Sequence, residues 1–113
     1  MKFFKKNPFT KLEKRAQDTF IQKGYSIHTP STSNNHGIDL IAENGDQKIA
    51  VQVTQPSESS MDKSIEAAIS GKEAFNCNKS VIVVDSQISD QFRNKATENG
   101  IDVINVDGHN NFQ

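Results

Sequence analysis

The sequence predicts an α/β domain in the element order αβββαβαβ, a mixed central sheet with helices on both faces. Three observations predict it. Two short apolar runs, residues 38–42 and 48–53, flank Glu43-Asn44-Gly45-Asp46, and Asn-Gly between β-rich runs marks a hairpin because both residues tolerate the positive φ of a tight turn. The run Val81-Ile82-Val83-Val84 lacks polar alternation and reads as a strand buried on both faces, parallel and central. One helical length separates it from a second β-rich run at 101–106, which makes a β-α-β unit with a right-handed crossover.

Taken in order, Asn7-Pro8 predicts a helix start, with Asn as N-cap and Pro in the first turn. Thr10 and Glu13 form a competing capping box, so Glu13 is either a cap residue, which the sequence favours, or a side chain pointing across toward the sheet. Phe9, Leu12, Ala16 and Phe20 recur at helical spacing and face the core, and Gly24 stops the helix. Residues 25–28 form a short strand, followed by a polar loop over 29–35. His28 and His36 flank that loop as surface residues, since no further ligands at zinc spacing accompany them. After the hairpin, a polar loop over 55–60 leads to a helix from Asp62 whose buried stripe is Ile65, Ala68, Ile69 and Phe75. Residues 79–85 form the central strand. Ser89 caps a helix with Phe92 and Ala96 inward, Asn99-Gly100 ends it, and residues 107–110 close the chain as a turn.

At 113 residues the chain is expected to form one domain, 1–113. Its net charge of −1 conceals an asymmetry: residues 1–23 carry seven basic and two acidic groups, and the rest carry six basic and twelve acidic. A basic segment containing Lys5, Lys6, Lys11, Lys14 and Arg15 suits contact with the phosphates of a nucleic acid, and equally suits a solvated helix face. One cysteine, Cys77, excludes an internal disulfide and fits a half-buried structural thiol in a reducing, cytoplasmic setting. The opening MKFFKK runs into Asn7-Pro8 without an apolar stretch, and no run reaches membrane-spanning length.

The chemistry concentrates in HGIDLIAENGDQKIAVQVTQ, residues 36–55. Alternation puts Ile38, Leu40 and Ala42 on one side of the first strand and Asp39, Ile41 and Glu43 on the other. On the second strand Ile49, Val51 and Val53 share a face, and Lys48, Ala50, Gln52 and Thr54 share the opposite, mixed face. Asp39 and Gln52 can therefore converge, and a carboxylate with an amide oxygen suits Mg²⁺ or Mn²⁺. The alternative is that both side chains lie on a solvated sheet face or cap a strand.

This order, with GID and QVT in the hairpin, the helix LEKRAQDTFIQKGY, the run VIVVD and the terminal IDVINVDG, resembles the PD-(D/E)XK, restriction-endonuclease-like superfamily. Within it the chain is most similar to the core of Mrr-type restriction endonucleases and archaeal Holliday-junction resolvases, from Leu12 to about Gly108. The resemblance implies a nuclease in which an acid of the first helix, an Asp of the hairpin and a Glu or Gln of the second strand bind Mg²⁺. By position these are Glu13, Asp39 and Gln52, with Gln a variant found in Mrr-like relatives. It also implies a lysine two residues further on, where this chain has Thr54, a neutral hydroxyl that cannot act as a cationic donor. Lys48, on the same strand face, lies about 20 Å from Thr54 by strand rise. Lys63 or Lys72, on the following helix, could reach in if that helix packs across the sheet.

Two functions follow from these features. One is a metal-dependent endodeoxyribonuclease built on Asp39, Gln52 and Glu13, with Thr54 as the departure. The other is a nuclease-fold module that binds DNA or a protein partner without chemistry. A small subunit whose DNA-reading domain is a separate chain is a third reading. Many relatives act as dimers, so a homodimer is an expectation of the resemblance, and no sequence-reading module such as a helix-turn-helix is present.

Overall fold

The computed structural model describes residues 11–30, 37–54 and 61–106. Within them the chain runs α1 (Lys11–Gln22), β1 (Ser26–His28), β2 (Leu40–Asn44), β3 (Gln47–Val53), α2 (Met61–Ala74), β4 (Lys79–Val84), α3 (Asp90–Glu98) and β5 (Ile101–Asn105). This is the expected element order. The Asn7-Pro8 and Thr10 helix starts, His36, the 55–60 loop and the 107–110 turn lie outside the described residues.

The five strands form one sheet in the order β1-β2-β3-β4-β5. The first three are antiparallel neighbours, while β3, β4 and β5 run parallel. Helices cover both faces, as expected for parallel strands joined by helical crossovers. On one face, Leu12, Ala16 and Phe20 of α1 pack on Leu40, Ala42, Ile49, Val51, Val81, Val83 and Ile104. On the other, Met61, Ile65 and Ala68 of α2 with Phe92 and Ala96 of α3 cover Ile82, Val84 and Ile101. β4 is thus buried on both sides, and its buried polar residue, Ser80, donates its hydroxyl to Ala68 O at 2.6 Å. Capping is local and legible: the Ser89 hydroxyl accepts from Phe92 N–H.

Four details differ from the sequence expectation. The two-residue hairpin loop is Gly45-Asp46, with Asn44 paired to Gln47. Gly45 alone takes positive φ, +60°, so the turn is of the type that needs Gly at its first central position. Second, Ile41 and Ala50 on the mixed face of the hairpin are buried rather than solvated, packed with Ile38 against Phe75 and Cys77. Third, Ile38 leaves the Leu40–Ala42 side. Asp39 N–H bonds to Val51 O, one residue out of the register that pairs Leu40 with Val51, and that step turns Ile38 to the side of Ile41. Fourth, Ile69 is 37% exposed, because the stripe of α2 facing β2 and β3 passes instead through Ala67 and Gly71.

Gly71 is fixed by packing. A β-carbon there would lie 2.1 Å from Ile38 Cγ1, so only a hydrogen lets α2 sit this close to the sheet. Gly71→Ala should therefore cost about 1–3 kcal/mol by overpacking, despite its better helix propensity. In an Ile38→Ala background the same change should cost much less, since the obstructing atoms are gone. Chemical denaturation of the four proteins measures that coupling; additive costs would show that Ile38 is not the obstacle.

Candidate active site

The site forms where β2 begins and β3 ends. Val53 N–H donates to Asp39 Oδ2 at 2.8 Å, so a side chain continues the hydrogen bonding where the regular ladder stops. Asp39 also hydrogen-bonds the side chain of Glu13, which arrives from the first turn of α1. Glu13 thus meets the hairpin carboxyl; the capping role that sequence favoured needs Thr10, which lies outside the described residues.

Two carboxyls in contact within a partly dehydrated setting cannot both ionise freely. Burial is the largest influence on Asp39 and raises its pKa from 3.8 to about 6. The Val53 bond opposes this by favouring the anion, while the hydrogen bond and charge of Glu13 add to the rise.

Gln52 precedes Val53 on β3 and is 8% exposed. Its Oε1 is buried without a hydrogen-bond partner, a condition that costs free energy unless a ligand relieves it. It projects to the α2 face, beside Gly37 and Ala67. An added β-carbon on Gly37 would lie 2.9 Å from Ala67 Cβ and 3.6 Å from Gln52 Nε2, and Gly37 holds φ at +80°. Glycine here keeps the amide covered without displacing it.

No group of three His, Cys, Asp or Glu among the described residues could hold a metal ion. The donors are instead two carboxyls and an orphaned amide oxygen. Hard oxygen donors and a carboxyl pair strained by like charge fit Mg²⁺ or Mn²⁺ chemically, because a divalent charge lets both acids ionise. Glu13 and Asp39 are in contact, and Gln52 lies at the neighbouring strand end. Thr54 follows directly, half-buried, with its N–H on Val83 O.

The basic residues divide. Lys11 and Lys14 are exposed on α1, Arg15 donates to Val106 O at 2.8 Å, and Lys5 and Lys6 lie outside the described residues. Lys48 is at the far end of β3, beside Glu43, as its distance from Thr54 requires. His28 is exposed beside Glu43. Burial raises the pKa of the half-buried Cys77 thiol, consistent with a structural thiol. A cleft of about 430 Å³ lined by Phe20, Tyr25, Lys79, Arg93 and Ile104 opens at the opposite end of the sheet and contains none of the candidate ligands.

Sequence reading did not assign Gly37 or the Val53 amide. Gly37 carried a signal, a glycine two residues before the acid, whereas a backbone N–H leaves no trace in residue type.

In the metal-free protein, Asp39 binds its proton more tightly when folded. Its stabilising contribution is in place below pH 3.8 and is lost as pH rises through about 6. Asp39→Asn keeps an acceptor for Val53 and removes the buried charge. With EDTA present it should be more stable than wild type at pH 7.5 by about 1–2 kcal/mol after solvent screening, with the advantage fading toward pH 4. Denaturant titrations at the two pH values measure this; a variant less stable than wild type at pH 7.5 would contradict the carboxyl contact.

Residues 4–110 match the family model of the Mrr catalytic domain, described as restriction endonuclease. No curated protein matches the chain. Among solved structures, a repair endonuclease from Pyrococcus abyssi superposes with a TM-score of 0.62 at 11% identity, over 93% of this chain and 49% of that one. A protein of unknown function superposes with a TM-score of 0.63 at 11% identity, over 86% of this chain and 59% of that one. The chain thus spans about half the length of these neighbours, which share its fold. The extent of the family match and the five-stranded mixed sheet agree: the chain belongs to the Mrr-like restriction endonuclease family of the PD-(D/E)XK superfamily and is nuclease-like.

Proposed function

We propose that the chain is a metal-dependent endodeoxyribonuclease in which Asp39, Glu13 and Gln52 hold Mg²⁺ or Mn²⁺ at the open end of the hairpin. The observation that carries this reading is the Glu13–Asp39 carboxyl pair, with Asp39 raised to about 6. A bound ion would supply a polarised phosphate and a water of lowered pKa. The residues themselves position and hold charge. Val53 N–H fixes the Asp39 carboxylate, Glu13 adds the second negative charge from α1, and Gln52 offers a neutral oxygen from the α2 face.

Lys11 and Lys14 lie near the same end of the sheet on α1, exposed and basic. They suit contact with the DNA backbone rather than with bases, since the described residues present no groove-reading element. Replacing either with Ala should weaken DNA binding equally across sequences and reduce the salt slope by about 1. Fluorescence anisotropy over a salt series measures it; an unchanged slope would remove α1 from the interface.

Thr54 supports a second reading, a nuclease fold retained for binding, because no cation follows Gln52 on its strand. Cleavage of supercoiled plasmid and branched DNA with Mg²⁺ and with Mn²⁺ separates the two. The nuclease reading expects wild-type cleavage that Asp39→Ala abolishes. Cleavage only by Thr54→Lys would establish the second reading, and inertness of both proteins would overturn the nuclease assignment.

A further inference from the structure

We infer that Lys63, in the first turn of α2, supplies the cation that the strand lacks at Thr54. This inference rests on the nuclease reading of the same site.

The placement follows from how α2 lies on the sheet. Gly71 packs over Ile38, and Ala67 packs beside Gly37 and the Gln52 amide. Residues 71 and 67 are four apart and share a face of the helix, so residue 63 continues the same stripe one turn further. The β3-α2-β4 unit joins parallel strands, so α2 runs antiparallel to β3. Four helical residues backward from Ala67 cover about 6 Å, and two strand residues forward from Gln52 cover about 6.6 Å. Lys63 therefore stands level with Thr54. Its side chain leans toward the helix N-terminus, outward over the end of the sheet where Asp39 and Glu13 meet.

Among the described residues, the basic side chains of α1 and Lys72 do not share that position. Around α1, at 100° per residue from Glu13, Lys14 points 100° away and Lys11 and Arg15 point about 160° away. Lys72 belongs to the last turn of α2, whose Lys72 O accepts from Cys77 N–H at the opposite end of the sheet. Lys63 is exposed, and the neighbouring Asp62 carboxylate is engaged by Lys95 of α3.

In the hydrolytic step, a water oxygen forms a new bond to phosphorus and the bond to the leaving sugar oxygen breaks. The water proton passes to solvent and the leaving oxygen takes one from solvent. Lys63 keeps its proton throughout and donates hydrogen bonds to a non-bridging phosphate oxygen as charge develops there.

The test compares wild type, Lys63→Gln, Lys63→Arg, Lys72→Gln and the double variant Lys63→Gln/Thr54→Lys. Single-turnover plasmid cleavage is read beside Mn²⁺ affinity and metal-free DNA affinity. Lys63→Gln should slow cleavage about 10²–10³-fold, with both affinities within about threefold of wild type. Lys63→Arg should retain part of the rate, Lys72→Gln all of it, and the double variant should recover by restoring the charge from the strand. A Lys63→Gln rate within about threefold of wild type, with Asp39→Ala inert, would overturn the role of Lys63 and leave the nuclease reading standing. A loss of DNA affinity as large as the loss of rate would overturn it too, making Lys63 a phosphate anchor. Wild-type inertness in both metals would remove both readings together.

Discussion

The hydrogen bond from Val53 N–H to Asp39 Oδ2 is the constraint on which the site depends. It spans the point where β2 and β3 stop pairing through their backbones, so the strands separate without leaving that amide bare. An unpaired amide there would cost about 1–3 kcal/mol. The same bond draws a carboxylate into a half-buried position that Glu13 then shares. The fold thus tolerates an unfavourable carboxyl pair at a place where sheet geometry already demanded an acceptor. A cation that relieves the pair would act on stability and on chemistry through the same two side chains.

The approach of α2 is the second constraint, and small residues set it. Ala67, Ala68 and Gly71 face the sheet, and at Gly71 nothing larger than hydrogen fits against Ile38. Close approach covers the Gln52 amide, leaving its oxygen buried and unpartnered, and it fixes the height of every other side chain on that stripe. Packing and site geometry are therefore coupled through residues that carry no chemistry themselves.

Much of this was legible in the sequence where one strong local signal decided the outcome. The run from Val81 to Val84 has no polar face to solvate, and it became a strand covered on both sides. Ser89 and Phe92 announced a helix start by spacing alone. Signals that depend on a partner elsewhere in the chain were not legible. Asn44-Gly45 reads as the turn pair, yet strand register moved the loop to Gly45-Asp46. Ile38 fits a simple alternation until Asp39 bonds out of register. Glu13 satisfies a capping pattern, and only the arrival of the hairpin gives its carboxyl another destination. Ile69 fits an apolar stripe whose direction was set by the glycine at 71.

The site draws from both layers of the fold at once. Glu13 reaches the strand ends from the α1 face and Gln52 from the α2 face, while Asp39, just before β2, accepts from the Val53 N–H of β3. Farther into the sheet, continuous pairing and the two cores separate these faces. Only where the hairpin strands part can groups from opposite sides approach one ion or one phosphate. On the proposed reading, replacing a strand cation by one from α2 needs no change of topology, because α2 begins at that opening. On that reading a threonine at 54 leaves one wall of the opening without charge, while α2 carries the exposed Lys63 on the other.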